Sequence, residues 1–261
     1  MKRAISTLLL GLLLGLPAEA KLVMKDVDYS HAGKPMQGYL VYEDSLAKPG
    51  QTPGILVFHA WMGIGWHERQ WADQLAAMGY VVFAPDIYGK GIRPGNPEEA
   101  GKQATLYRND RPLMRSRAQA GLNVLLSQSL VDKHKVGAIG FCFGGGVALE
   151  LARSGAPLAG VVSLHGNLDT PNPADARQIK GQILALHGAD DPFVKPEQVA
   201  GFVKEMRDAG VNWQMNAYGG AVHAFSDPYA GDDVKSGAAY NPEAAKRSWQ
   251  DMTRFFANLF G

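Results

Sequence analysis

Gly140-Phe141-Cys142-Phe143-Gly144-Gly145-Gly146 is the stretch on which the fold turns. It closes a short apolar run, Val136 to Gly140, and leads into Val147 to Ala152, whose residues suit a helix. Strand, tight turn and helix in that order set Cys142 at the apex of an elbow. The pattern is G-x-S-x-G with cysteine where serine is usual. Such a turn is strained, and side chains two positions before and after its apex would strike neighbouring backbone, so small residues are required there. The helix beginning behind Cys142 offers backbone N–H groups and the positive end of its dipole. Both favour a thiolate and the oxyanion of a tetrahedral intermediate. A buried structural cysteine is common in general, but strand, elbow and helix together are far more specific than a glycine-rich turn. No Gly-Lys-Ser or Gly-Lys-Thr follows, which sets aside a phosphate-binding loop.

Working outward, residues 22–30 and 36–42 read as two early strands joined by a turn, and Gly54 to His59 as a buried strand. Trp66 to Met78 has helical spacing and stops at Gly79; Tyr80 to Ala84 is the next buried strand. Residues 86–111 read as one long irregular loop, of the kind that covers a site. Pro112 to Leu130 reads as a helix, Leu158 to Leu164 and Ile183 to Leu186 as strands, Pro196 to Ala209 as a helix, Val211 to Ala217 as a last strand and Ala244 to Leu259 as a closing helix. Strands alternating with helices predict an α/β fold: a mostly parallel central sheet flanked by helices on both faces. No linker or repeat interrupts residues 21–261, which read as one domain.

Residues 1–20 read differently. Lys2 and Arg3 precede an uncharged apolar stretch, Ala4 to Leu16, and Pro17-Ala18-Glu19-Ala20 ends in an Ala-x-Ala pattern. This is the layout of a secretory signal peptide, with an apolar core too short for a comfortable bilayer span. Cleavage after Ala20 would export the mature chain, most simply to a bacterial periplasm or the exterior, with no stable membrane insertion. The 26 Lys and Arg nearly balance the 25 Asp and Glu and form no phosphate-neutralising stripe, which argues against a nucleic-acid partner. One cysteine rules out an intrachain disulfide framework and Cys-rich metal sites.

A nucleophilic thiol needs a base, and the base needs a group to fix its tautomer. Of the seven histidines, His31 and His134 read as surface, while His59, His165 and His187 end apolar runs and His67 begins a helix. His223 lies in a loop directly after the last strand. That matches the chain order nucleophile, acid, histidine of enzymes with this elbow. The acid should follow the strand ending at Leu186. Asp190 and Asp191 are adjacent, so spacing does not choose; Pro192 fixes the turn after Asp191 and favours that carboxylate turned inward, with Asp190 facing solvent or capping the loop. No tight metal-binding spacing is present, and no catalytic metal is expected.

At this point the chain resembles the dienelactone hydrolase family of α/β hydrolases over nearly all of residues 22–261. The resemblance rests on Gly54 to Gly63, Gly79-Tyr80, Ala84 to Gly89, the cysteine elbow, Asp191-Pro192-Phe193-Val194 and Gly220 to Phe225. It implies a Cys142, Asp191 and His223 triad that hydrolyses small esters or lactones through an acyl-enzyme without a cofactor. It also implies oxyanion donors at the backbone N–H groups of Phe143 and Trp61. His59, Met62, Arg108 and Arg111 are candidates for the substrate pocket, while Arg115 and Arg117 read as solvent-facing on their helix. The family glutamate that meets the resting cysteine corresponds here to Ala60. Residues 228–242 read as an insertion that shapes the entrance. The alternatives are an exported binding protein on the same fold, a thiol-dependent redox enzyme, which would lack a resolving cysteine, and a cysteine peptidase.

Overall fold

Alternating burial along the strands organises the molecule, seen in a computed structural model that describes residues 21–261. The signal-peptide reading of residues 1–20 lies outside the described residues. In β3 (Thr52–Phe58), Ile55 and Val57 face one side of the sheet and Leu56 and Phe58 the other, and all four are fully buried. Burial on both faces demands helices on both faces. The eight strands run β1-β2-β4-β3-β5-β6-β7-β8. They are β1 (Leu22–His31), β2 (Lys34–Glu43), β3, β4 (Val81–Pro85), β5 (Val131–Phe141), β6 (Gly160–Leu164), β7 (Gln182–Gly188) and β8 (Trp213–Tyr218). β1 and β2 form an antiparallel hairpin, β2 pairs antiparallel with β4, and from β4 to β8 every pairing is parallel. The sheet is therefore mixed but mostly parallel, as expected.

The helices are α1 (Trp66–Ala77), α2 (Pro97–Asn109), α3 (Arg111–Leu126), α4 (Phe143–Arg153), α5 (Pro196–Ala209) and α6 (Pro242–Phe260). α3, α4 and α5 bury Leu122, Leu125, Val147, Leu151, Phe202 and Met206 with Leu56, Phe58 and Phe83. On the opposite face α1 and α6 bury Trp71, Leu75, Met252 and Phe256 with Ile55, Val57 and Ile139.

Two expectations about the elements need correction. The stretch 86–111 is not one irregular loop, because α2 lies within it. Asn96 caps that helix by accepting the Glu99 N–H at 3.0 Å, and Pro97 occupies its first position. Ala100, Ala104 and Tyr107 form its buried stripe. The α3 helix stops at Leu126, short of Leu130, because Leu130 and Val131 are drawn into the sheet: Thr52 donates its N–H to the Leu130 carbonyl at 3.1 Å, and Thr52 pairs with Val131.

Among the described residues, no helix is long and apolar enough to cross a membrane.

Candidate active site

The carboxyl ends of the parallel strands deliver the site, as open α/β sheets generally do. Phe58 at the end of β3 pairs with Gly140, and Phe141 at the end of β5 pairs with Leu164 of β6. The chain then breaks out of the sheet at His59, Cys142 and His165 side by side. Cys142 sits at φ 54° and ψ −116°, a left-handed conformation that costs a non-glycine residue about 1–3 kcal/mol. The glycines around it are sterically required. A Cβ on Gly140 would lie 2.0 Å from the Gly144 carbonyl oxygen, and one on Gly144 would lie 2.2 Å from the Phe58 carbonyl oxygen. The first turn of α4 thus presses directly on the end of β3.

His223 lies in the loop after β8. Its Nδ1–H donates to Oδ2 of Asp191 at 2.8 Å, and His223 shares a cavity wall with Cys142. Asp191 is buried in the loop after β7; its Oδ1 accepts the backbone N–H of Phe193 at 2.8 Å and of Val194 at 3.3 Å. The carboxylate is held from both sides, and only Oδ2 remains for the imidazole. Asp190 faces outward and accepts the Gly220 N–H at 2.9 Å, tying the two loops together.

Cys142 and His223 shift one another. Burial alone would push the thiol up; the His223 charge and hydrogen bond, aided by Arg108 and the Phe143 N–H, overcome burial and hold it below the ordinary thiol value. Burial would lower His223, but the Cys142 charge and the Asp191 hydrogen bond push it up to about 10. Each group thus favours the charged form of the other.

A cavity of about 440 Å³ opens over this pair. Its lining includes Trp61, Arg108, Asn167, Phe193 and Asp227. Arg108, on α2, donates from Nε at 3.1 Å and Nη2 at 2.9 Å to Oδ1 of Asn167. That amide fixes the guanidinium without neutralising it, and Arg108 forms no ion pair among the described residues. Ala230 and Ala238, from the segment expected to shape the entrance, also line the cavity.

Three of the four residues expected in the substrate pocket are placed elsewhere. His59 is fully buried and outside the cavity wall, held by the backbone of Ala60 and Ile87. Met62 is exposed on the surface and is not part of the wall, because the turn from Ala60 to Gly63 carries it outward. Arg111 is buried and paired with Asp169 at 2.8 Å, in a separate groove. Arg115 and Arg117 are not solvent-facing side chains either. Arg115 pairs with Glu150 at 2.8 Å and Asp175 at 2.7 Å, and Arg117 is buried on the carbonyls of Ile87 and Tyr88.

Several wall residues were not singled out from sequence, among them His67, His165, Asn167 and Asp227. His165 lies at φ 39°, bonds the Ser226 hydroxyl at 2.8 Å through Nε2, and has its ring edge-to-face with His223. Burial above all, and then the charge of His223, keeps it well below the ordinary histidine value. It therefore stays neutral beside His223. Its place at the end of an apolar run was the available signal. His67 packs edge-to-face on Phe141, and no sequence pattern separates it from a helix-face histidine.

Ala60 lines the cavity, whose wall also carries the carboxylate-bearing residue Asp227 from the loop after β8. The nearby Glu68 is committed to the backbone N–H groups of Ala60 at 3.0 Å and Gly65 at 2.8 Å.

Comparison with known proteins places this architecture. The dienelactone hydrolase family model matches residues 36–260. The chain is similar to a dienelactone hydrolase-like promiscuous phosphotriesterase from metagenomic libraries, with 39% identity, a TM-score of 0.87, and coverage of 93% of this chain and 100% of that one. It is similar to the structure of m3DLH at 37% identity and a TM-score of 0.88, covering 92% of this chain and 99% of that one. Protein usf of Aquifex pyrophilus is 28% identical over 88% of this chain and 96% of its own length.

Proposed function

The chain belongs to the dienelactone hydrolase family and is a carboxylic-ester or lactone hydrolase, and on that premise we propose that Cys142 is its nucleophile, His223 its acid and base, and Asp191 the group that orients His223. The observation that carries this reading is the Asp191–His223 hydrogen bond, with His223 and Cys142 sharing the wall of one cavity.

The thiolate of Cys142 adds to the substrate carbonyl carbon, forming a C–S bond and moving the π electrons onto oxygen. The N–H groups of Phe143 and Trp61 receive that oxyanion. Collapse breaks the C–O bond, and the departing alkoxide takes the proton from Nε2 of His223. In a lactone the alcohol stays tethered to the acyl group. Acylation removes the sulfur's charge, which is the chief support for the raised His223 value. The imidazole can then remain neutral and take a proton from water, which attacks the thioester. The thiolate leaves, and His223 ends protonated as it began.

Arg108 extends the reading to substrate choice. A fixed, uncompensated guanidinium in the cavity favours an ester or lactone bearing a negative group. The layout of residues 1–20 supports export of the mature protein to the periplasm or beyond.

Hydrolysis of short p-nitrophenyl esters, simple lactones and carboxylate-bearing lactones, run beside Cys142→Ala, tests the proposal. An aryl dialkyl phosphate belongs in the panel, because a relative 39% identical is named as a promiscuous phosphotriesterase. Ester or lactone turnover that disappears in Cys142→Ala is expected; equal turnover in both proteins would remove Cys142 from the role.

A further inference from the structure

His59 is the first residue past β3, fully buried and outside the cavity, yet both of its ring nitrogens are engaged by backbone. Nε2 accepts the Ile87 N–H at 3.0 Å. A neutral imidazole with an accepting Nε2 carries its proton on Nδ1. Nδ1–H therefore donates to the Ala60 carbonyl at 2.7 Å. Asp86 Oδ1 is 3.6 Å from Nε2, beyond hydrogen-bond reach, so the backbone alone sets the tautomer. The Ala60 carbonyl also accepts the Gly63 N–H at 3.1 Å, closing a tight turn. The next carbonyl, that of Trp61, accepts the Tyr88 hydroxyl at 2.9 Å. Both peptide planes that flank Trp61 are pinned by buried side chains.

A trans peptide is planar, with its C=O and N–H pointing in opposite directions. With the Ala60 carbonyl tied toward His59 and Gly63, the Trp61 N–H must leave on the other side. Among the described residues it donates to no acceptor. The start of α4 packs against this point: a Cβ on Gly144 would lie 2.6 Å from the His59 carbonyl oxygen, and Trp61 shares the cavity with Cys142. A turn containing a glycine at φ +87° is one in which a free peptide could flip. Flipping would aim a carbonyl dipole, rather than an N–H, at the developing negative charge.

We propose that His59 is the positioning residue of the oxyanion site: its tautomer-locked ring clamps the Ala60–Trp61 peptide with the N–H turned toward the carbonyl under attack by Cys142, and Tyr88 clamps the peptide that follows. The proposal rests on the nucleophile reading above and adds the group that holds one oxyanion donor in place.

The test is His59→Phe, which keeps a ring of similar size and removes both polar contacts. Losing an oxyanion donor typically costs about 10²-fold or more in kcat, so a fall of that order is expected, with KM changed less than about threefold. Alkylation of Cys142 by iodoacetamide should keep its rate and pH dependence, because the Cys142–His223 pair is untouched. A trifluoromethyl ketone carrying the substrate's acyl group should lose affinity by a factor similar to kcat. His59→Gln supplies one donor and one acceptor, and should recover most of the rate. If His59→Phe fails to fold, Tyr88→Phe takes its place, with a fall in kcat of about tenfold and unchanged alkylation. An unchanged kcat in the folded variant would overturn the proposal, as would a kcat loss matched by an equal loss of alkylation. Failure of the underlying nucleophile reading is distinguishable, because it would show as turnover by Cys142→Ala whatever the His59 variants do.

Discussion

Asp191 meets His223 through a single oxygen, Oδ2 at 2.8 Å from Nδ1, while its Oδ1 is held by the Phe193 and Val194 N–H groups. The carboxylate cannot swing away, and the imidazole cannot turn its other nitrogen inward without losing that bond. In Asp191→Asn an N–H can replace the accepting oxygen and favour the wrong tautomer. A fall in kcat/KM of about 10²-fold or more is expected by steady-state kinetics, with the fold intact by circular dichroism.

The Cys142–His223 pair fixes the pH behaviour. The thiol lies below its ordinary value of 9.0 and His223 is raised to about 10. As pH falls through the thiol's depressed value, the thiolate takes up a proton and the pair is lost; as pH rises past about 10, the imidazolium loses its proton. The profile of kcat/KM should be bell-shaped, its basic limb near the His223 value. In His223→Ala, burial remains while the chief support for the thiolate is gone, so the pH midpoint for iodoacetamide alkylation should move upward. An unmoved midpoint would contradict the pairing.

Strain at the elbow predicts an unusual order of stabilities. Cys142 holds φ 54°, which glycine adopts freely and alanine does not. Cys142→Gly should be more stable than Cys142→Ala by about 1 kcal/mol, measured by urea unfolding, although both lack the thiol. The reverse order would argue against strain at this residue.

A second charged cluster serves stability rather than catalysis. Arg153 is fully buried and bonds Glu205 at 2.7 Å and Glu150 at 3.0 Å, itself fully buried. Removing one partner leaves buried charge without compensation, at a cost of about 3–5 kcal/mol. Arg153→Ala should lose stability of that order in denaturant unfolding, with the activity of the folded fraction little changed.

Arg108 gives a prediction about selectivity. Arg108→Gln should raise KM for a carboxylate-bearing lactone by about tenfold, the scale of one charge-assisted hydrogen bond. KM for neutral esters should change little. Equal effects on both substrate types would remove Arg108 from anion recognition.

Much of this architecture was readable from local chemistry. The apolar runs ending at Phe58, Phe141, Leu164 and Leu186 are buried strands, and glycines at 140, 144 and 145 mark the elbow because backbone occupies the space a Cβ would need. What local pattern could not give was the direction of long side chains. Arg111 read as a pocket candidate beside a loop and Arg117 as a solvent-facing position on its helix, yet both are buried because partners far along the chain, Asp169 and the Ile87 and Tyr88 carbonyls, receive their charges. The α2 helix was hidden by the glycines and prolines of Gly89 to Pro97, although Asn96, Pro97 and Glu99 carry a complete helix start. His59 stood out as a polar residue at a strand end; that its ring turns into the core, not the cavity, depends on Ile87, which arrives from β4.

The most direct test of the central claim is mass spectrometry of the protein mixed rapidly with an activated ester and quenched in acid. The account predicts a mass increase equal to the acyl group, on the peptide containing Cys142, appearing as fast as the first turnover and absent from Cys142→Ala. Turnover without an acylated Cys142 peptide at any quench time, with activity retained in Cys142→Ala, would contradict it.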